Sequence, residues 1–337
     1  MKVLVTGGTG FVGSHSVKAL LTAGHDVRLL VRSPQRIAAA LGPLGVAAPE
    51  HVAGDVTDAA AVRRALEGCD AVLHGANVFS FDARGVATMQ QVNRSGTELV
   101  LRTAHELGLD PIVHVSSYVA LLPGTPPLRP DSPVGDTPVP YARSKADAER
   151  IARELQGAGA PVVRVLPGMT WGPYDPHMGE GSMLARDILR GVTPARLPGG
   201  APVVDVRDVA AVHAAVMEPG RGPRAYLATG DFAAFARIGA ALRAATGRRL
   251  PAPPIPASAL LAVARAADVV QRVVPFRLPL HHEPPWTLIN GLPGDDSGTT
   301  QELGVTFRAP EESIADTVRW LYESGKIGRR AAGRAAS

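Results

Sequence analysis

The sequence predicts an α/β fold: a doubly wound parallel sheet with helices on both faces, followed by a smaller, mostly helical lobe. Three observations predict it. Short apolar runs alternate with helical stretches over residues 1–166, the pattern of parallel strands joined by crossover helices. The first run leads directly into glycines at positions 7, 10 and 13. The chain, at 337 residues, is too long for one minimal sheet domain and leaves room for a second lobe.

The elements follow in order. Val3–Val5 is a buried strand, Phe11 to Ala23 a helix stopped by Gly24, and Asp26 to Val31 a second strand. His51 to Gly54 is a third short strand, Ala59 to Glu67 a helix, and Ala71 to Leu73 a fourth strand. A long helix spans Asn93 to Leu107, and Ile112 to Val115 is the fifth strand. The proline-rich loop Pro123 to Pro140 precedes a helix from Tyr141 to Leu155, and Val162 to Leu166 is the sixth strand. Beyond Pro167 the alternation breaks, with a helix at Met183 to Arg190 and a strand then a helix within Val203 to Met217. Ala225 to Thr229 reads as a last strand and Glu311 to Glu323 as the last helix. This divides the chain into a dinucleotide-binding domain of Rossmann type (1–166 and 203–230) and a substrate-binding lobe (167–202 and 231–328). The small, basic stretch 329–337 is expected to be a disordered tail.

The strand–glycine turn–helix–strand unit at the start fits a dinucleotide. Gly7 permits the tight turn, Gly10 lets backbone N–H groups approach a pyrophosphate, and Gly13 lets helix and strand pack closely. Thr9, Phe11 and Val12 complete this cofactor-binding stretch, and the helix N-terminus faces the phosphates.

Composition narrows the function. A formal charge of +4 with scattered basic residues argues against nucleic-acid binding. The single cysteine, Cys69, precludes an internal disulfide and reads as a buried thiol. No signal-peptide pattern opens the chain, and no apolar run is long enough for a membrane span. The expectation is a soluble, cytoplasmic protein. The apolar stretch Ala257 to Val274, interrupted by Arg265, Asp268, Gln271 and Arg272, reads as a lobe helix.

Only four of the 35 basic residues are lysines. One of them, Lys145, stands four residues after Tyr141, so both share a helix face. A nearby ammonium favours tyrosinate, and a phenol tuned this way can exchange a proton near neutral pH. Tyr322 and Lys326 repeat the spacing, but Gly325 ends the helix between them. Ser117 falls at the tip of the fifth strand, where a hydroxyl can bond a substrate carbonyl oxygen. Ser116 competes for that role, and Ser117 is preferred. His74, His177 and His213 lack metal-site spacing and read as structural or surface histidines, so no metal site is expected. Asp205 and Asp208 read as loop and helix-start carboxylates.

TGGTGFVG at 6–13, GDVTD at 54–58, VNRSGT at 92–97, VSS at 115–117 and YARSK at 141–145 together resemble an extended short-chain dehydrogenase/reductase. RVLPGMTWGP at 164–173 and DVRDVA at 205–210 extend the likeness, which is nearest to the dihydroflavonol-reductase-like and 3β-hydroxysteroid-dehydrogenase-like branch. The resemblance implies a catalytic set of Ser117, Tyr141 and Lys145, with Asn93 supporting the lysine through a water. It implies that Asp55 and Val56 flank the adenine, that Gly75 and Ala76 border the cofactor, and that Pro167 and Gly168 line the nicotinamide. It also implies a homodimer built on the Asn93 and Tyr141 helices. Leu166 stands before Pro167 where sugar-nucleotide epimerases of this family carry asparagine.

The expected activity is NADP(H)-dependent interconversion of a small or medium apolar ketone or aldehyde and its alcohol. NADP(H) is expected over NAD(H) because the second strand ends Leu30-Val31-Arg32 with no carboxylate, and Arg32 can pair with a 2′-phosphate, assisted by Ser33 or Arg36. Phe79, Phe81, Tyr118, Met169, Trp171 and Met183 are candidate pocket walls. Tyr118 either crowds or lines that pocket, and Asn77 is either a pocket donor or a strand-end cap. Two other activities share these motifs: a sugar-nucleotide epimerase or dehydratase, and a cofactor-sensing regulator without turnover.

Overall fold

The computed structural model describes residues 1–78, 85–253, 255–271 and 283–336. The chain opens with β1 (Lys2–Thr6), α1 (Phe11–Thr22), β2 (Asp26–Val31), α2 (Arg36–Leu41), β3 (Glu50–Ala53), α3 (Ala59–Leu66) and β4 (Ala71–His74). Next come α4 (Val86–Glu106), β5 (Ile112–Val115), α5 (Pro140–Gly157) and β6 (Val162–Pro167). The chain then leaves the sheet through β7 (Met169–Trp171), α6 (Glu180–Leu189) and β8 (Gly200–Asp205), and returns with α7 (Val206–Ala215) and β9 (Arg224–Ala228). It continues through β10 (Asp231–Ala234), α8 (Phe235–Thr246), α9 (Ala257–Gln271), α10 (Glu283–Ile289), α11 (Ser297–Leu303), α12 (Pro310–Glu323) and α13 (Arg329–Ala332).

Among the described residues, seven parallel strands form the main sheet in the order β3-β2-β1-β4-β5-β6-β9. The order reverses between β1 and β4, so a crevice opens outside their carboxyl ends. Successive side chains enter opposite cores. Val3 and Val5 pack with Val17, Leu20, Val209 and Val212 of α1 and α7. Leu4, Ile112 and Val162 pack with Leu101 and Ala152 of α4 and α5. Burial on both faces is why these strands read as unbroken apolar runs.

One row breaks that apolar pattern. Thr6 pairs in register with His74, His74 with His114, and His114 with Arg164. This polar row lies toward the carboxyl ends of its strands. Glu149 of α5 is fully buried and bonds both Arg164 and, at 2.9 Å, Arg153.

The structure corrects several expectations. The strand within Val203 to Met217 does not join the main sheet: β8 runs parallel to β7 and antiparallel to β10 in a second sheet. That sheet covers the lobe core of Trp171, Phe235, Ile314, Val318 and Leu321. The long fourth helix begins at Val86, well before Asn93. The tail expected to be disordered forms α13 and a further turn, with Ala332 fully buried in the lobe core. Its alanines are small enough to lie against the lobe core, and Arg334 donates to the Ala244 carbonyl. Cys69 is buried, and desolvation pushes its thiol up. Of the stretch Ala257 to Val274, α9 covers the part up to Gln271, and the remainder lies outside the described residues. No helix among the described residues is long and apolar enough to cross a membrane.

Removing one partner of a buried ion pair strands the other charge. Glu149→Ala should therefore cost about 3–5 kcal/mol in urea denaturation. Glu149→Gln, which keeps a hydrogen-bond acceptor, should cost clearly less.

Candidate active site

The glycine loop is tightly constrained on one side and open on the other. Gly7 has φ +77°, and a Cβ there would lie 2.7 Å from the Ala76 backbone nitrogen. A Cβ on Gly13 would lie 2.1 Å from the Gly7 carbonyl oxygen. At Gly10 a Cβ would meet only the Gly7 oxygen, at 3.2 Å. Gly10 caps α1 without a side-chain bond, so the N–H groups of the first turn face the opening. Thr9, Phe11 and Val12 sit around that opening. These features fit a bound pyrophosphate.

Gly75 and Ala76 border the loop from β4. The Gly75 N–H donates to Thr6 O at 3.1 Å, and the Ala76 N–H to Thr6 Oγ1 at 3.1 Å. At the end of β2, Arg32 is mostly exposed and lies 3.9 Å from Asp55. Asp55 in turn accepts from Thr57 N and Oγ1. Val56 packs on Gly96 of α4, where a Cβ would come within 2.8 Å. The adenine-side and 2′-phosphate-side candidates are therefore neighbours.

The second group gathers at β5 and α5. Lys145 is 5% exposed, and its Nζ donates to the Val115 carbonyl at 3.3 Å. Burial pulls its ammonium down to about 8, with the Glu149 charge acting in the opposite sense. Ser117 is half-buried and starts a short 3-10 turn, its Oγ accepting from Val119 N at 3.4 Å. Ser116 is buried, and its Oγ has no hydrogen-bond partner among the described residues. Of the two serines, Ser117 is the more exposed. Tyr141 is half-buried beside Tyr118, Val119 and Leu166.

Asn93 makes three direct hydrogen bonds. Its Oδ1 accepts from Val78 N at 2.7 Å, and its Nδ2 donates to Val78 O and to Ser144 Oγ. Ser144 Oγ donates to Tyr141 O at 2.8 Å. Asn93 therefore locks the strand-end backbone to the Tyr141 turn.

The expected pocket walls are not all brought together. Trp171 is fully buried in the lobe core, because its position in β7 turns the ring toward Ala185, Phe235 and the face of Gly181. It is packing, not pocket wall. Tyr118 is 3% exposed, and burial pushes its phenol far up. Met169 and Met183 are half-buried, and Asn77 is exposed. Phe79 and Phe81 lie outside the described residues. Pro167 ends β6, and Gly168 is squeezed where main sheet and lobe meet: a Cβ would lie 2.7 Å from both Pro202 O and Thr229 O.

Sequence reasoning missed His114. It stacks on His74 with ring centroids 6.0 Å apart, and both its nitrogens are buried without hydrogen-bond partners among the described residues. His74 bonds Thr6 Oγ1 at 2.8 Å and Thr97 Oγ1 at 3.2 Å. Only strand register brings these residues together, and no local motif signals it.

A glycine loop after the first strand and a Tyr-x-x-x-Lys helix whose lysine bonds the fifth strand belong to an extended short-chain dehydrogenase/reductase. The chain belongs to the NAD dependent epimerase/dehydratase family, whose model matches residues 3–228. It is 32% identical to sterol demethylase protein B of Methylococcus capsulatus over 339 residues, 97% of this chain and 100% of that one. It is 32% identical to cinnamoyl-CoA reductase 1 of Oryza sativa over 246 residues, 68% of this chain and 71% of that one. The crystal structure of gox2253 superposes with a TM-score of 0.81 at 27% identity, covering 97% of this chain and 99% of that one.

Burial pulls His74 and His213 down to about 3 and His15 to about 4. Between those values and 6.5 the unfolded chain binds protons that the native chain does not. Native stability should therefore fall as pH drops from 6.5, by about 1–2 kcal/mol at pH 5 for each fully buried ring. Urea midpoints at pH 7 and pH 5 measure the drop, and His213→Asn should shrink it.

Proposed function

We propose that the protein is an NADP(H)-dependent oxidoreductase interconverting a small or medium apolar ketone or aldehyde and its alcohol. The observation that carries this reading is the Lys145 Nζ contact with the Val115 carbonyl. It ties the Tyr141 helix to β5, which is followed two residues on by Ser117.

A bound nicotinamide cofactor supplies hydride at its C4. The chain's own residues supply the rest. Ser117 Oγ donates a hydrogen bond to the carbonyl oxygen and orients it. Tyr141 gives its phenolic proton to that oxygen as the carbon accepts hydride. Lys145, cationic below about pH 8, stabilises the tyrosinate left behind and offers N–H donors to ribose hydroxyls. Asn93 holds the Tyr141 turn in place through Ser144.

Two features support NADP(H). The end of β2 carries no carboxylate, and among the described residues the contact of Arg32 is a long one to Asp55, which leaves its guanidinium available to a 2′-phosphate. An apolar substrate is supported by Leu166 before Pro167 and by the engagement of two lobe arginines. Of the three lobe arginines that could serve a sugar-nucleotide diphosphate, Arg186, Arg190 and Arg196, Arg186 pairs with Asp187 and Arg190 donates to Lys326 O.

A panel of aromatic and alicyclic ketones, followed by NADPH absorbance, tests the reading. Turnover of a ketone is expected; epimer formation from a UDP-sugar without net cofactor consumption would replace this reading with an epimerase. Tyr141→Phe should keep cofactor binding and lose turnover by on the order of 10² or more. Arg32→Ser should raise the KM for NADPH about tenfold and leave that for NADH unchanged. Equal loss with both cofactors would remove Arg32 from the site.

A further inference from the structure

The lobe reaches back to the glycine loop through residues 172–179, the connection between β7 and α6. Asp175, 1% exposed, shapes this connection by accepting from His177 N at 3.0 Å, Gly179 N at 2.6 Å and Ser182 Oγ at 2.8 Å. Tyr174 and Met178 take φ of +62° and +54°, a region that side-chain residues avoid unless the surroundings impose it. Two histidines join the connection to the nucleotide unit. His15 of α1 donates through Nε2 to Pro173 O at 3.0 Å. In the opposite direction, His177 donates through Nε2 to Thr9 O at 3.1 Å.

The two rings differ in burial. Burial holds His15 neutral, at about 4. His177 is exposed, and its Nδ1 has no partner among the described residues. With Nε2–H committed to Thr9, Nδ1 becomes a donor only in the imidazolium. Thr9 lies between Gly7 and Gly10, at the opening where the free N–H groups of α1 point. The charged groups that act on His15 are Asp205, Arg207 and Lys18, and the carboxylate bonded to the His177 backbone is Asp175. The Asp175 carboxylate is filled by its three donors, Asp205 pairs with Arg207, and Lys18 lies further along α1.

We propose that His177 is a phosphate-contacting residue of the dinucleotide site. Its imidazolium Nδ1–H donates to the pyrophosphate while Nε2 stays on Thr9, so the lobe supplies part of the phosphate cradle. The proposal rests on the dinucleotide reading above but not on the identity of the carbonyl substrate.

Calorimetric titration of NADPH, ADP and 2′-AMP into the wild type, His177→Ala and His177→Gln tests it. ADP carries the 5′ pyrophosphate, and 2′-AMP lacks any 5′ phosphate. His177→Ala should weaken ADP and NADPH roughly five- to thirtyfold, the scale of a charge-assisted hydrogen bond, and leave 2′-AMP within about twofold. Glutamine can still donate to Thr9 but carries no charge, so His177→Gln should remain weak toward ADP. In the wild type, ring resonances of His177 followed by NMR should titrate at higher pH with ADP bound. Full recovery of ADP affinity in His177→Gln would make the residue a neutral latch and overturn the proposal. Equal weakening of ADP and 2′-AMP, or a titration unmoved by ADP, would overturn it as well. If the wild type binds none of the three ligands, the dinucleotide reading itself fails, and the proposal with it.

Discussion

A buried ammonium is the constraint on which this architecture turns. Lys145 is nearly sealed between α5 and the sheet, and the protein atom that receives it is a backbone carbonyl at the end of β5. Burying a cation this way is costly unless donors and acceptors are fixed around it. The surroundings supply that fixity. Glu149 lies one turn along the same helix and favours the charged form. Asn93 pins the Val78 backbone and, through Ser144, the turn that carries Tyr141. The same helix pair then closes apolar packing below, through Leu101, Ile151, Ala152 and Leu155.

The main sheet was legible in the sequence because its strands are buried on both faces. Runs such as Val3–Val5 and Ile112–Val115 announce themselves without any partner being known. The glycine loop and the Tyr141–Lys145 pair were legible because their geometry is local: a turn that needs positive φ, and a four-residue helical spacing. The lobe was less legible. Met169–Trp171 and Asp231–Ala234 are too short to signal strands by periodicity, and their partner β8 lies far away in sequence. Trp171 looked like a pocket residue because it follows a sheet strand closely, yet its face of β7 turns inward. The His74–His114 stack was invisible because strand register, not sequence neighbourhood, creates it. The order in the final residues was hidden by composition, since alanine and arginine at a terminus resemble a solvated tail until a groove of matching size receives them.

Lobe and sheet are joined by charge as well as by chain. Arg207, at the start of α7, bridges Asp205 and Asp316 of α12. Arg308 pairs with Asp208, and Thr317 Oγ1 accepts from Gly172 N at 2.9 Å. These contacts anchor α12 to the helix that covers one face of the sheet. The lobe's position over the crevice is thus set from behind, by α7, and from the front, by the connection that meets Thr9.

The strand order also has a consequence for synthesis. β6 takes its outer neighbour from β9, which is encoded only after the whole excursion through residues 168–223. A chain emerging from the ribosome therefore has six of the seven strands before β9 is made, and the β6 edge, Val162–Pro167, apolar apart from Arg164, lacks its partner until residues 224–228 arrive. Such an edge is a template for pairing with other chains. The first lobe segment is translated during that interval, so a pause or truncation between residues 168 and 223 leaves this edge uncovered.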